Sequence, residues 1–263
     1  MSNSAEGGKN ADILSADAIK SSLPADFSGE IIVKEITEST NRDAACIAKE
    51  ALHGTTVIAD AQTEGRGRLG KSFFAPAGGI YMSVILKLGL AFSDAVLVTA
   101  AASVAVCKAI EAVSDVRPQI KWVNDILLDG RKICGISCEA VFSGETVDSV
   151  ILGVGVNFSA QEFPEEISET AGVLFDEPPV SRNQLIAEIL KNLLAETADL
   201  SSRKFIDDYR RRSAVPGNPI RYLENTVWHD AEAIGIDENG GLVILENGTE
   251  KTLVSGEITL RIQ

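Results

Sequence analysis

Residues 61–74 read Ala-Gln-Thr-Glu-Gly-Arg-Gly-Arg-Leu-Gly-Lys-Ser-Phe-Phe. Within residues 65–71, glycines, Arg66, Arg68 and Lys71 surround a single apolar residue, Leu69. Such a stretch has almost nothing to bury. Its glycines let backbone N–H groups approach an anion closely, while the cationic side chains supply charge. A solvated loop is the plain alternative. The setting favours anion binding, because the apolar run Thr56-Val57-Ile58-Ala59 leads in and Phe73-Phe74 leads out. Two phosphate-binding patterns match in letters: G-x-G-x-x-G at Gly65, Gly67 and Gly70, and G-x-x-x-x-G-K-[ST] ending at Ser72. Both need a helix opening at the last glycine. Pro76 and Gly78-Gly79 argue against that helix, and residues 80–87 read as a buried strand. The loop therefore calls for a different anion-binding architecture.

Three further clusters carry polar chemistry. In Lys121-Trp122-Val123-Asn124-Asp125, lysine, asparagine and aspartate interrupt an apolar stretch. Burying them unpaired is expensive, so they read either as partnered site residues or as a polar strand edge. Arg131-Lys132-Ile133-Cys134-Gly135 places a lysine just after a turn, with a glycine inside the following strand. That pattern fits close approach by a ligand, or a surface lysine beside a bulge. Gly153-Val154-Gly155-Val156-Asn157 alternates glycines along a strand, leaving room on one face for something flat or for a tight packing contact.

These residues need a sheet to hold them. Strands are expected over 30–36, 55–61, 80–87, 119–128, 132–142 and 146–158, with Asp129-Gly130 as a hairpin turn. A helix is expected to start at Ser39-Thr40-Asn41, capped by Thr40 or a neighbour and closed by Gly54. Long helices are expected over 93–116 and 181–200, the latter with a Ser181/Gln184 capping box, and another over 203–212. After Val215-Pro216-Gly217, short strands between Asp237-Glu238-Asn239-Gly240-Gly241 and Glu246-Asn247-Gly248-Thr249 suggest a small barrel. The organisation expected is a polar tail or linker over 1–30, with a short helix around Ser15 to Leu23 ended by Pro24, then an α+β domain over 31–213 and a small β domain over 214–263.

The 263-residue chain carries a net charge of −14, which argues against general nucleic-acid binding. Cys46, Cys107, Cys134 and Cys138 lack metal-site spacing and read as reduced, intracellular thiols. The first residues have no basic start and no apolar signal core, and no uncharged stretch is long enough to span a bilayer. A cytoplasmic protein is expected.

Taken in order, the motifs Ser39-Thr40-Asn41, Gln62-x-x-Gly65-Arg66-Gly67-Arg68-x-Gly70, Tyr81-x-Ser83, Lys121-Trp122-x-Asn124-Asp125, Arg131-Lys132-x-x-Gly135 and Gly153-x-Gly155-x-Asn157 resemble those of biotin protein ligases. Gly256-Glu257-Ile258-Thr259-Leu260 is similar to the close of that family's SH3-like C-terminal domain. The resemblance covers the chain from about residue 31 onward. Departures are Val123, Phe73 and Lys71, where the family usually has proline, tryptophan and arginine. Bifunctional members carry a DNA-binding domain in front. Here only residues 1–30 precede the catalytic region, so a monofunctional form without operator binding is expected.

The resemblance implies a class II synthetase-like mixed sheet with flanking helices, and a two-step reaction. Biotin and ATP give biotinyl-5′-adenylate, with Mg²⁺ helping on the phosphates. A lysine of a biotin carboxyl carrier domain then takes the biotin. It implies catalytic roles for Arg68, Lys132 and Asp125, with Asp125 orienting or deprotonating the acceptor amine. It assigns biotin contacts to Ser39, Thr40, Asn41, Gln62, Gly65, Arg66, Arg68, Tyr81, Ser83, Lys132, Gly135, Gly153 and Gly155. Nucleotide contacts fall to Arg66, Arg68, Phe73, Asn124, Lys132 and Asn157. No metal ligand is assigned, and a homodimer through a sheet edge is compatible with the family. The rivals are a lipoate or octanoate ligase, a P-loop NTPase and an adenylate-sensing regulator without turnover.

Overall fold

The structure, a computed structural model, describes residues 12–89, 95–143, 146–159 and 161–260. Strand β1 (Ile31–Thr37) is followed by helix α2 (Thr40–Ile47) and strand β2 (Thr56–Gln62), and the two strands pair in parallel. Helix α1 (Ala16–Lys20) precedes them. From β2 the sheet continues antiparallel through β3 (Ile80–Leu86), β7 (Thr146–Val156), β6 (Arg131–Ser143), β5 (Asp125–Leu128) and β4 (Gln119–Lys121). Every residue of β3 is buried, as expected for a central strand covered on both faces.

The period of two along these strands sorts the site from the core. One face receives α3 (Ala95–Val113) and α4 (Arg182–Thr197) over Ile58, Val84, Leu152 and Ile136. The other face carries Val57, Ile85 and Ile151 beneath α2, packed against Ala44 and Ala48. Along that same second face the register continues into Ser83↔Gly153, Tyr81↔Gly155, Ser137↔Gly153 and Gly135↔Gly155. The face changes from apolar to polar and glycine-rich beyond the N-terminal end of α2. That is where a ligand can lie.

After α5 (Ile206–Arg212), strands β8 (Asn218–Glu224), β9 (Val227–Ile236), β10 (Leu242–Glu246), β11 (Thr249–Leu253) and β12 (Ile258–Leu260) form an antiparallel sheet in the order β11-β10-β9-β8-β12. Its hairpins turn at Asn225-Thr226 and at Asn247-Gly248, all with positive φ. Ile220, Tyr222, Leu242 and Ile244 join the same core as α3 and the large sheet. Trp122 seals this junction by donating its indole N–H to Gly240 O at 2.9 Å. Trp122→Phe leaves that buried carbonyl without its donor and is expected to cost about 1–3 kcal/mol in denaturant unfolding. A change within about 0.5 kcal/mol would show that the bond is replaced locally.

Three expectations need correction. Residues 12–30 are not a free tail: Ile19 is fully buried, and Asp12 receives the Arg182 backbone N–H at 2.9 Å. The short helix expected around Ser15 to Leu23 is α1, and it is its packing through Ile19 that the polar composition hid. Helix α2 ends at Ile47, and Gly54 (φ +84) instead serves the turn into β2, its N–H bonding Ile85 O. The single strand expected over 119–128 is two antiparallel strands, with Lys121 opposite Asp125. Trp122, Val123 and Asn124 form the turn between them, and the Trp122–Val123 peptide is cis.

Candidate active site

The buried end of the site begins at the start of α2. Ser39 is its N-cap residue, but its hydroxyl makes no capping bond. Thr40 donates its backbone N–H (2.8 Å) and its hydroxyl (3.1 Å) to Gln62 Oε1, joining α2 to the end of β2. Ser83 Oγ lies within donating distance of Thr40 Oγ1 (2.8 Å) and Asn41 Oδ1 (2.6 Å). Asn41 Nδ2 in turn donates to Ser137 Oγ (3.1 Å) and to Glu139. This polar chain fixes the Thr40 and Asn41 side chains relative to Gln62.

The glycine loop closes over that end. Phe73 N–H bonds Gly65 O (2.8 Å) and Gly67 N–H bonds Lys71 O (2.7 Å), around a short 3₁₀ turn at Arg68–Gly70. No α-helix follows Ser72, and β3 comes next, so the loop is neither a P-loop nor a dinucleotide turn. Gly65 is required by its own backbone, since a Cβ there would stand 2.5 Å from Phe73 O. Arg68 turns inward and donates Nη1–H to Asn124 Oδ1 at 3.0 Å, while Asn124 donates to Ile136 O at 2.7 Å. Burial lowers the Arg68 pKa, and the nearby Asp125 carboxylate opposes that. Arg66 lies nearer the solvent, its side chain 58% exposed. Lys71 reaches the C-terminal sheet, bonding Glu257 at 2.5 Å.

Lys132 stands between these parts. Its ammonium lies 2.7 Å from Asp125 Oδ1 and 5.9 Å from the centroid of the Phe73 ring. Phe73 meets Tyr81 edge to face at 6.3 Å. Two cavities meet at Phe73 and Lys132. The first, about 460 Å³ with its open mouth, is lined by Ser39, Thr40, Asn41 and Gln62 at one end and by Arg66, Arg68, Asn124 and Lys132 at the other. The second, about 480 Å³ counting the solvent at its mouth, is lined by Phe73, Phe74, Phe163, Ile167, Thr170 and Ala171.

Most residues expected at the site converge on the first cavity, including Gly135, Gly153, Gly155 and Tyr81. Several do so in a different role. A Cβ on Gly153 would meet Ser137 Oγ at 2.5 Å and the Asn41 carboxamide, so this glycine makes room for Asn41. A Cβ on Gly155 would meet the Phe73 ring at 2.7 Å, so the flat neighbour of that glycine is a side chain of the protein. Tyr81 presents its ring, since its hydroxyl donates to Pro76 O at 2.7 Å, and burial raises its pKa. Ser83 lies behind Thr40 and Asn41. Asn157 is a buried clamp whose amide donates to Gly172 O (2.8 Å) and Lys132 O (3.3 Å), and it lines only the second cavity.

Sequence reasoning missed Ser137 and Glu139, although both follow Gly135 at the period of two. It also missed Phe163 and Ile167, which lie in a segment without periodicity.

Known proteins share this sequence and fold. Residues 33–157 match the Biotin/lipoate A/B protein ligase family. The chain is 31% identical to the bifunctional ligase/repressor BirA of Bacillus subtilis over 94% of its own length and 79% of that protein. It is 30% identical to the biotin–[acetyl-CoA-carboxylase] ligase of Mycobacterium tuberculosis over 84% of this chain and 85% of that one. The structure of the Aquifex aeolicus biotin protein ligase in complex with biotin and ATP superposes with a TM-score of 0.76 at 27% identity, covering 90% of this chain and 100% of that one. On its fold, its motif-bearing cavity and these relatives, the chain belongs to the biotin/lipoate protein ligase family, among the biotin protein ligases.

Proposed function

We propose that this enzyme activates biotin with ATP to biotinyl-5′-adenylate and transfers the biotinyl group to a lysine of a biotin carboxyl carrier domain, that of acetyl-CoA carboxylase. The observation that carries this reading is the meeting of two motif-lined cavities at one lysine, Lys132. The first cavity, with polar groups at both ends, suits an acid with a polar head. In this reading the head of the acid lies toward Ser39, Thr40 and Gln62 and its carboxylate toward Arg68 and Lys132, all of which line that cavity. The second, walled by Phe73, Phe74 and Phe163, suits a flat purine.

In the first step a biotin carboxylate oxygen attacks the α-phosphorus and pyrophosphate leaves. Two anions must approach, so preorganised cations are the main requirement. Lys132 and Arg68 supply them from the junction of the cavities. In the second step the acceptor amine forms an amide bond with the biotinyl carbonyl carbon, AMP leaves with the anhydride oxygen, and the amine gives up a proton. Asp125, 2.7 Å from the Lys132 ammonium, holds that lysine in place and is the carboxylate at hand for the arriving amine. Asp125→Asn is expected to slow transfer from preformed adenylate about 100-fold, a size typical of losing a positioned base. Unchanged transfer in a single-turnover assay would remove Asp125 from this step.

Among the described residues no group of three or more His, Cys, Asp or Glu side chains gathers as a metal cage. The donor set does not fit a resident metal. Mg²⁺ is proposed only as the ion carried by the ATP phosphates. A cytoplasmic setting suits the four free cysteines, of which Cys107 is held protonated by burial with its pKa pushed up to about 12.

The test is ATP–pyrophosphate exchange with biotin, with lipoate and with no acid. Exchange with biotin alone is the expected result. Exchange with lipoate instead would move the chain to the lipoate-attaching relatives, and phosphate release without acid would overturn the adenylation chemistry.

A further inference from the structure

The turn between β4 and β5 carries the partners of both cations assigned to the first step. Asn124 Oδ1 receives Arg68 Nη1–H at 3.0 Å, and Asp125 Oδ1 lies 2.7 Å from the Lys132 ammonium. Trp122, Val123 and Asn124 stand outside the β4–β5 ladder, which closes with Lys121 opposite Asp125. Trp122 and Val123 are buried, so the polar backbone of this turn must find partners away from the ladder. Asn124 finds two on β6, its carbonyl accepting Ile136 N–H at 3.0 Å and its side-chain amide donating to Ile136 O at 2.7 Å.

The Val123 carbonyl is met from a different part of the chain. Tyr209, a fully buried residue of α5, donates its hydroxyl to Val123 O at 3.2 Å. That helix is tied to both sheets. Arg210 donates Nε–H to Ile236 O of β9 at 2.9 Å, and Ala214 N–H, just past the helix, bonds Ile120 O of β4 at 2.9 Å. The phenol is therefore a stiff arm presented from an anchored helix. Burial raises its pKa, with the Arg68 charge opposing, so the oxygen keeps its proton and remains a donor. Tyr209 lines neither the acid cavity nor the purine cavity. A peptide unit is planar, so an oxygen held at Val123 also holds the N–H and Cα of Asn124. The direction of the Asn124 side chain follows from that plane, and with it the point at which Arg68 is held.

We propose that Tyr209 is a positioning residue for adenylation: its hydroxyl holds the Val123–Asn124 peptide so that Asn124 keeps Arg68 aimed at the reacting carboxylate and phosphate. This rests on the biotin ligase reading above. A slightly displaced cation loses most in the transition state, where charge develops, while the substrates still occupy their cavities. The loss therefore falls on kcat.

The test is Tyr209→Phe in the full-length enzyme, which removes one oxygen and keeps the ring that fills the site. The kcat of biotin-dependent ATP–pyrophosphate exchange is expected to fall about fivefold, with the KM for biotin and for ATP within about twofold of the parent. The same substitution placed in Asn124→Ala is expected to change exchange by less than about twofold, because the group through which the hydroxyl acts is gone. A merely structural role would cost the same in both backgrounds. Each rate is read at several temperatures below the melting midpoint. An unchanged kcat overturns the proposal, as does a loss carried by KM or an equal loss in the Asn124→Ala background. So does a loss that vanishes on cooling, because its cause is then partial unfolding. A parent enzyme that shows no biotin-dependent exchange removes the ligase reading itself, an outcome separate from these.

Discussion

Replacing Lys132 by methionine is expected to lower biotin-dependent ATP–pyrophosphate exchange about 1,000-fold while leaving the melting temperature nearly unchanged. The first part follows from position. Lys132 is the charged side chain shared by the acid cavity and the purine cavity. On the reading proposed above it is the cation between the attacking carboxylate and the reacting phosphate, where charge develops in the transition state. Removing one such preorganised donor typically costs 100- to 1,000-fold, and here two anions depend on it, so the upper end of about 1,000-fold is expected. The second part follows from exposure. The Lys132 side chain is 35% exposed and its Asp125 partner 23%, so the freed carboxylate is reached by water and little stability is lost. Lys132→Arg is not a rescue, because a planar fork on a longer stem cannot replace a point charge at this junction. Exchange within tenfold of the parent would move the catalytic cation elsewhere, and a collapse of the melting temperature would make the loss structural.

Much of the frame was legible because the periodicities were clean. The buried run of β3, the Asp129-Gly130 turn and the Ser181/Gln184 capping box each announce one local structure. The site motifs were legible for a different reason. Glycines and paired charges are costly in a strand unless something uses them, so Gly135, Gly153, Gly155 and Lys132 stood out.

What they are used for was less legible, because partners distant in sequence decide it. Gly153 accommodates Asn41, and Gly155 accommodates the Phe73 ring. Asn157 lines the second cavity, and its amide is also engaged with Gly172 O and Lys132 O. Lys121 to Asp125 read as a continuation of a strand, since apolar residues flank it, but the chain turns there and places Asn124 against Arg68. Residues 12–30 read as a tail because only Ile19 and a few neighbours are apolar. Burial of Ile19 and the Asp12–Arg182 contacts hold them to the fold.

The Arg68–Asn124 bond gives the second large prediction. Arg68 carries a charge to the acid cavity and also pins the glycine loop to the β4–β5 turn. These two functions can be separated. Arg68→Met removes both, keeps an apolar stem of similar length, and is expected to lower exchange about 100-fold or more. It should also raise the share of adenylate lost to water, because a loop no longer held at Asn124 shields the mixed anhydride less well. Asn124→Ala cuts the same bond from the other side but leaves the guanidinium in place. Its expected signature is leakage without the large loss: AMP release in the absence of acceptor rises, while exchange falls about tenfold or less. Comparing the two single variants with the double variant gives the coupling through the bond itself. If Asn124→Ala leaks no more than the parent, the loop is held by other contacts, with Lys71–Glu257 the first to examine. If Arg68→Met exchanges normally, the guanidinium serves the loop alone and Lys132 carries the electrostatics of adenylation.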